Sequence, residues 1–163
     1  RNVGQTRSRG LELALGQQFS QWDWRAGATW AHHEYVQYVA AAAEDYSGKT
    51  MPQAPRYQWN AQLGWKFLPQ SRLALGVIQQ GSYWMNNLNT VRYEGHTLLN
   101  VTASHKLQGG IEVWGQVRNL NNERYADTAS SSYKSGTFTP NSQNTYSPGA
   151  PRSVMLGLTK SFL

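Results

Sequence analysis

The segment 56–67 has the sequence RYQWNAQLGWKF, which alternates apolar and polar residues throughout. Every second side chain of a β-strand lies on the same face of its sheet. One face is predicted to carry Tyr57, Trp59, Ala61, Leu63, Trp65 and Phe67, and the other Arg56, Gln58, Asn60, Gln62, Gly64 and Lys66. An apolar row of this length, with an aromatic residue at each end, is typical of a tilted strand that crosses a bilayer.

Six other segments show the same two-residue period, which predicts strands over 6–19, 22–34, 72–84, 95–107, 111–119 and 152–162. The connections between segments alternate strictly in length. Those at 20–21, 68–71 and 108–110 are short, and those at 35–55, 85–94 and 120–151 are long. Outer-membrane barrels have short periplasmic turns and long extracellular loops. The sequence therefore predicts an all-β fold, an antiparallel up-and-down transmembrane β-barrel, with long loops outside the cell and a periplasmic C-terminus.

Composition narrows the class of protein. No stretch of the 163 residues approaches the ~20 apolar residues that a membrane-spanning helix needs. The lack of Cys excludes a disulfide framework and thiolate metal sites. The net charge of +6 comes from scattered Lys and Arg, and without a basic run we expect no nucleic-acid partner. Seven Trp and nine Tyr fit either a carbohydrate-binding β-sandwich or the aromatic belts of a membrane protein.

The number of strands predicts that the barrel is larger than this chain. Bacterial barrels have an even number of strands from about eight upward, and open sheet edges are not tolerated in lipid. The chain also begins at Arg1 without a secretory signal. We therefore expect residues 1–163 to be about seven C-terminal strands of a larger barrel, with the earlier strands absent.

The orientation predicts two belts of membrane-interface aromatic residues. The inner interface carries the residues beside the short turns: Phe19, Trp22, Trp24, Trp65 and Phe67. Trp30, Tyr57, Trp59 and Tyr83 lie near the long loops, at the outer interface.

Four stretches resemble the C-terminal third of the TonB-dependent receptor family, in the order of that family. They are 7–12 (RSRGLE), 51–56 (MPQAPR), 117–127 (VRNLNNERYAD) and 146–152 (YSPGAPR), the last followed by a strand that ends at Phe162. The third is the most specific, because it is similar to the family's Asn-Leu-x-Asp/Asn-x-x-Tyr signature. Asn121 stands where the family usually has an aromatic residue, and Phe162 is penultimate rather than terminal.

The resemblance implies a barrel of about 22 strands filled by an N-terminal plug, of which neither the plug nor the earlier strands are in this chain. It implies a transporter of the bacterial outer membrane rather than an enzyme. The transporter imports a scarce nutrient, most commonly a ferric siderophore, with haem, cobalamin and other carriers as alternatives, and no cofactor is covalently bound. Energy comes from the TonB–ExbB–ExbD complex, which acts on the plug. A terminal aromatic residue such as Phe162 is, by the same resemblance, the signal that the barrel-assembly machinery recognises.

The inward row of the predicted barrel carries charged side chains that face the lumen or the plug: Asp23, Arg25, Arg56, Lys66, Arg72, Glu112 and Arg118. They either pair with the plug or solvate the lumen, and the sequence leaves both open. The long loops carry aromatic and cationic residues that suit an anionic, aromatic ferric siderophore: Tyr35, Trp84, Arg92, Tyr93, Tyr133 and Lys134. The same residues suit contacts with outer-membrane lipids and lipopolysaccharide, or loop packing. Ala40–Ala43 indicate a short helical turn in the first long loop.

His32, His33 and Glu34 form the one stretch that invites a metal site. Adjacent residues of a strand point to opposite faces, so both His residues are not expected to bind one ion. We predict no metal site here or at His96 and His105. Two alternative functions stay open: a barrel enzyme, for which His33 with Asp45 is the only nominated pair, and a passive porin or adhesion barrel.

Overall fold

A computed structural model describes residues 4–41, 44–132 and 143–162. In this part of the chain the regular secondary structure is almost entirely β. The strands are β1 (Gln5–Gln18), β2 (Trp22–Gln37), β3 (Val39–Ala41), β4 (Glu44–Asp45), β5 (Tyr57–Leu68), β6 (Ser71–Gln80), β7 (Tyr83–Trp84), β8 (Arg92–Tyr93), β9 (His96–Lys106), β10 (Ile111–Arg118), β11 (Ala126–Ser131), β12 (Asn144–Pro148) and β13 (Ser153–Lys160). A short 3-10 turn covers Gln108–Gly110. Among the described residues, no helix is long and apolar enough to span a membrane.

Seven long strands form one antiparallel sheet in the order β1-β2-β5-β6-β9-β10-β13. Each strand pairs with the next long strand along the chain, which is the up-and-down arrangement that the sequence predicts. The connections β1–β2, β5–β6 and β9–β10 are short, and the other three are long. The predicted fold class is confirmed.

The strand register brings like side chains together. Trp22 lies opposite Trp65, and Leu63 lies opposite both Trp24 and Leu75. Directly opposite residues of an antiparallel pair project from the same face, so the apolar rows of all seven strands merge into one surface, the apolar face. The large side chains of this face are exposed even on the inner strands, for example Leu63 at 48% and Leu75 at 50%. The other side of the sheet is the polar face.

The predicted strand 72–84 is too long. β6 ends at Gln80, and Tyr83 is only 5% exposed, so it does not lie in the lipid-facing row where the sequence placed it. The chain turns at Gly81, where a Cβ would lie 2.7 Å from the Tyr57 carbonyl oxygen. A residue without a side chain is required for this close approach, and Tyr83 is thereby directed into the loops.

The long connections contain strands of their own. Three small hairpins form, β3–β4, β7–β8 and β11–β12. The helical turn predicted over Ala40–Ala43 is wrong for Ala40 and Ala41, which belong to β3; residues 42–43 lie outside the described residues. Four Ala residues favour a helix only weakly, because nucleating a helical turn is costly, and cross-strand pairing with β4 is available instead.

Candidate functional site

The apolar face has the composition of a surface in contact with lipid. Apart from Tyr83, the strand aromatic side chains predicted for the membrane interface project from it, with exposures from 36% to 53%: Trp22, Trp24, Trp30, Tyr57, Trp59, Trp65 and Phe67. The rings of Trp22 and Trp65 stack at 5.3 Å beside the short turns. An apolar patch of this extent is not left facing water by a soluble monomer, and aromatic residues at both ends of the patch are the pattern of membrane interfaces.

The polar face carries an ion pair that crosses a strand. The Arg72 guanidinium on β6 reaches over β5 to Asp23 on β2, with Arg72 Nε donating to Asp23 Oδ2 at 3.0 Å. Gly64 lies beneath the pair, and a Cβ there would overlap the guanidinium and lie 2.5 Å from Asp23 Oδ2. A bidentate Arg–carboxylate pair is directional, so this contact holds three strands in a fixed register.

The other charges predicted for the lumen have different partners. Arg25 Nε donates to Gln62 Oε1 at 2.6 Å, and Arg118 Nε donates to Gln116 Oε1 at 3.0 Å. Arg56 immediately precedes β5, and its carbonyl accepts the Ala31 N–H at 2.9 Å. Lys66 and Glu112 project from the same face as Asp23 and Arg118, by the alternation of their strands. Contact of these side chains with a plug stays a prediction.

Trp114 is a residue that sequence reasoning missed. It lies on the polar face between Glu112 and Gln116, and its indole covers Gly157 on β13. The two-residue period places Trp114 in this row, but a large aromatic residue among polar ones attracted no prediction.

The loops contain a small hydrophobic cluster, the loop core, formed by Tyr83, Met85, Val91, Tyr93, Ala126 and Ala129. It joins the hairpin β7–β8 to strand β11. The Tyr83 hydroxyl accepts the Ala129 N–H at 2.7 Å, and the Tyr93 hydroxyl accepts the Ala126 N–H at 3.1 Å. Burial raises the pKa of both tyrosines, so the hydroxyls are protonated at neutral pH.

The first long connection is hydrogen-bonded to the second, which contains the hairpin β7–β8. Gln53 N–H donates to the Trp84 carbonyl at 2.9 Å. Thr50 and Asn89 bind each other twice, through Thr50 N to Asn89 Oδ1 and Asn89 Nδ2 to Thr50 O, both at 2.8 Å. All three long connections are therefore linked by hydrogen bonds at one end of the sheet.

The structure separates the predicted substrate-contact residues into two groups. Tyr35 is buried, with its hydroxyl donating to Asn87 Oδ1 at 3.1 Å, and Tyr93 belongs to the loop core. Trp84 and Arg92 lie opposite each other on β7–β8, are more accessible, and form a cation–π contact at 5.9 Å. Tyr133 and Lys134 lie outside the described residues. Substrate contact by any of them stays a prediction.

In the signature-like stretch 119–127, the first residue, Asn119, has a structural role. Asn119 is 3% exposed and has a positive φ of 50°. Its Nδ2 donates to the Glu123 and Ala150 carbonyls at 3.0 and 3.1 Å, and its Oδ1 accepts the Glu123 N–H. Asn tolerates the left-handed conformation and can satisfy backbone groups in turns. Asn119 thus ties the two ends of the last long connection together.

The His residues are separated as the strand geometry requires. His33 Nδ1 is 2.8 Å from Ser8 Oγ on the polar face, while His32 Nε2 is 3.3 Å from Glu34 Oε2 on the other face. Asp45 Oδ1 accepts the Ser47 N–H at 2.9 Å rather than contacting His33. The described residues contain no group of three or more His, Asp or Glu side chains suited to a metal ion.

Several solved receptor structures share the fold of this sheet. The siderophore receptor PiuA from Acinetobacter baumannii superposes with a TM-score of 0.75 at 18% identity, over 94% of this chain and 21% of that one. The ferric yersiniabactin uptake receptor FyuA from Yersinia pestis gives 0.75 at 17% identity, over 97% and 24%. The ferric citrate transporter FecA gives 0.76 at 19% identity, over 96% and 24%. The chain thus spans less than a quarter of the length of these proteins, and at such identities the likeness establishes the fold.

The family follows from a sequence match. Residues 1–120, well over half of the chain, match the model described as TonB dependent receptor-like, beta-barrel. The match agrees with the seven-stranded sheet and with the structural relatives. The chain therefore belongs to the β-barrel family of the TonB-dependent receptors, which are proteins of the bacterial outer membrane.

Proposed function

We propose that this chain forms the C-terminal wall of a TonB-dependent transporter that imports a ferric siderophore. The plug and the earlier strands belong to the same protein, and the TonB–ExbB–ExbD complex supplies energy through the plug. The long loops face the outside of the cell, and the C-terminus lies in the periplasm. The observation that carries the proposal is the family match. It is supported by an apolar face that suits lipid and by long loops that are linked to one another at one end of the sheet.

Chemistry at the loop end supports an anionic aromatic cargo. Trp84 offers a ring face and Arg92 a cation that is itself exposed. An aryl group can stack on Trp84 while a carboxylate or catecholate oxygen accepts from Arg92. PiuA and FyuA are described as receptors for a siderophore and for ferric yersiniabactin, which favours this class of cargo over haem or cobalamin.

Two other partners belong to the proposal. Phe162 is 87% exposed next to the apolar row of β13, and Lys160 Nζ lies 5.8 Å from its ring centroid. We assign this terminal aromatic residue to recognition by the barrel-assembly machinery. Outer-membrane lipids and lipopolysaccharide surround the apolar face.

The test is uptake of ⁵⁵Fe-siderophores by cells grown under iron limitation. We expect deletion of the full-length gene, or of TonB, to abolish import of at least one ferric chelate. In the complemented strain, Trp84→Ala and Arg92→Gln should each raise KM about tenfold, the effect of roughly 1.4 kcal/mol of lost binding, at unchanged surface level. Lys49→Gln, at another exposed loop cation, is the control.

Different outcomes separate the alternatives. Import that continues without TonB would indicate a passive porin. Unchanged uptake of every chelate after gene deletion would refute nutrient import altogether. A barrel enzyme has no support from the His33–Asp45 pair, since each side chain contacts a serine instead.

A further inference from the structure

His96 connects the polar face of the sheet to the loop core. It is the first residue of β9 and lies opposite Gln80 of β6, on the polar face. Together with Gln58, Gln80 and Ile78 it lines a cavity of about 470 Å³ on that face. It also contacts the loop core, because His96 Nδ1 lies 2.9 Å from the Tyr93 hydroxyl. A change of charge at His96 therefore acts directly on the loops.

The hydrogen bonds of Tyr93 determine which nitrogen of His96 carries the ring proton. The Tyr93 oxygen accepts the Ala126 N–H at 3.1 Å, and the Tyr93 hydrogen is left to donate. The acceptor within its reach is His96 Nδ1. A neutral imidazole has one donor and one acceptor nitrogen, so the proton of neutral His96 is at Nε2. A second proton has to bind at Nδ1, where the Tyr93 hydrogen now lies.

Protonation of His96 removes this hydrogen bond. Both nitrogens of an imidazolium ring are donors and neither accepts. The Tyr93 hydrogen then has no acceptor among the described residues, although its side chain is partly buried against the loop core. Leaving a buried donor without a partner is costly. Tyr93 therefore has to turn away from His96, and the Ala126 N–H loses its acceptor.

The same ring packs against the last long connection. The centroids of His96 and Tyr125 are 4.3 Å apart. Tyr125 in turn lies against Gly149, where a Cβ would overlap the Tyr125 ring. Tyr125 and Gly149 adjoin the two ends of the hairpin β11–β12. His96 thus contacts both the hairpin β7–β8 and the connection that contains β11 and β12.

The charges around His96 do not replace the lost hydrogen bond. Its neighbour on β6 is the uncharged Gln80. The last long connection supplies two carboxylates that act on the charge of the ring, those of Glu123 and Asp127. Both carboxylates are exposed, so water screens their attraction for a protonated ring. A screened ion pair is worth less than a buried hydrogen bond.

We propose that His96 is a pH-sensitive contact that holds the last long connection against the hairpin β7–β8 when neutral and releases it when protonated. Histidine side chains change charge between about pH 8 and about pH 5, so release takes place in mildly acidic medium. Arg92 adjoins Tyr93 on β8, and the same event therefore displaces the candidate cargo-binding side of the hairpin.

The test follows amide hydrogen exchange of the full-length receptor in detergent, at about pH 7.5 and at about pH 5. Each rate is divided by the rate of an unstructured peptide at the same pH, which removes the intrinsic effect of pH on exchange. We expect protection of the peptide that contains Ala126 to fall about tenfold at the lower pH, the effect of roughly one hydrogen bond. Protection of β5 and β6 should stay constant.

Three variants make the result specific. His96→Asn places an amide oxygen near the position of Nδ1 without a titrating ring, so protection should be high at both pH values. His96→Phe keeps the packing against Tyr125 but has no acceptor, so protection should be low at both. His105→Asn is the matched control, because it removes the histidine at the other end of β9. This variant should show the same fall as the wild type.

The proposal is overturned if wild-type protection is equal at the two pH values, or if the fall persists in His96→Asn. Loss of the fall in His105→Asn would assign it to another group. Low protection in His96→Asn at both pH values would also refute the proposal, because an acceptor at this position would then be insufficient. No cargo is present in the experiment, so its outcome does not depend on whether the protein imports a ferric siderophore.

Discussion

At the scale of single residues, Gly64 on β5 allows an ion pair to join β2 and β6, the strands on either side of it. The Arg72 guanidinium occupies the space that a side chain at position 64 would fill, and it reaches Asp23 only because that space is empty. Gly76 is also on the polar face, but a Cβ there would have no neighbour closer than 3.9 Å. A side chain at position 64 would therefore displace the ion pair, whereas a methyl group at position 76 fits without displacing a neighbour.

We expect Gly64→Ala to lower the free energy of unfolding by about 1–3 kcal/mol, the usual cost of overpacking. The measurement is the temperature at which the full-length barrel loses its compact form on electrophoresis. Gly76→Ala should leave this temperature unchanged. In an Arg72→Ala background Gly64→Ala should have almost no effect, and an undiminished loss there would contradict the role given to the ion pair.

At the scale of elements, the hairpin β7–β8 is the part of the loops that connects the others. Tyr83 and Tyr93 project from one side of it into the loop core, while Trp84 and Arg92 project from the other. One side thus fixes the position of β11, and the other side remains accessible for a ligand.

Tyr83→Phe should open β11 without unfolding the sheet. The substitution leaves the buried Ala129 N–H without its acceptor, which costs about 1–3 kcal/mol locally. Amide hydrogen exchange at Ala129 and its neighbours should accelerate roughly fivefold to a hundredfold. Tyr146→Phe is the matched control, because Tyr146 lies opposite Ala129 on β12 but is 52% exposed. Equal acceleration in both variants would exclude the buried hydrogen bond as the cause.

At the scale of the whole molecule, the sheet has different surroundings on its two faces and at its two ends. The apolar face suits lipid, the polar face carries the Arg72–Asp23 ion pair, and all three long connections extend from the same end. From the loop-length rule of outer-membrane barrels, we propose that this end lies outside the cell.

Cysteine labelling of intact cells tests this orientation. The chain has no Cys of its own, so single substitutions give a clean signal within it. We expect Lys49→Cys, exposed in the first long connection, to react with a membrane-impermeant maleimide. Gln108→Cys, exposed in a short turn, should react only after the outer membrane is permeabilised. The reverse pattern would invert the barrel.

The sheet could be predicted from sequence because the residue types along each strand depend on whether they face lipid or the lumen. A residue that faces lipid is followed by one that faces the lumen, so the alternation in 56–67 is a local property and needs no knowledge of the partner strand. The alternation of short and long connections is also visible in the sequence. The family model matches residues 1–120, so the resemblance seen at 146–162 lies beyond it.

The loops could not be predicted in the same way because their structure depends on distant residues. Tyr83 continues the alternation of β6, and only its contacts with Ala129 and Tyr93 show that it is buried. Asn119 forms part of a recognisable signature, but its bonds to Glu123 and Ala150 are apparent only in the structure. Which loop residues meet a ligand depends on similar long-range packing.

The hairpin β11–β12 has a consequence for how the sheet is completed. β10 and β13 are neighbours in the sheet but are separated by the longest connection. Pairing within the hairpin, continued by Gly149 N–H to the Tyr125 carbonyl at 2.9 Å, draws the two ends of that connection together. The entropy lost on closing a loop increases with the length of free chain. If the hairpin forms first, β13 pairs with β10 as though the connection were short, and we then expect the rate of assembly to depend on the sequence of this loop.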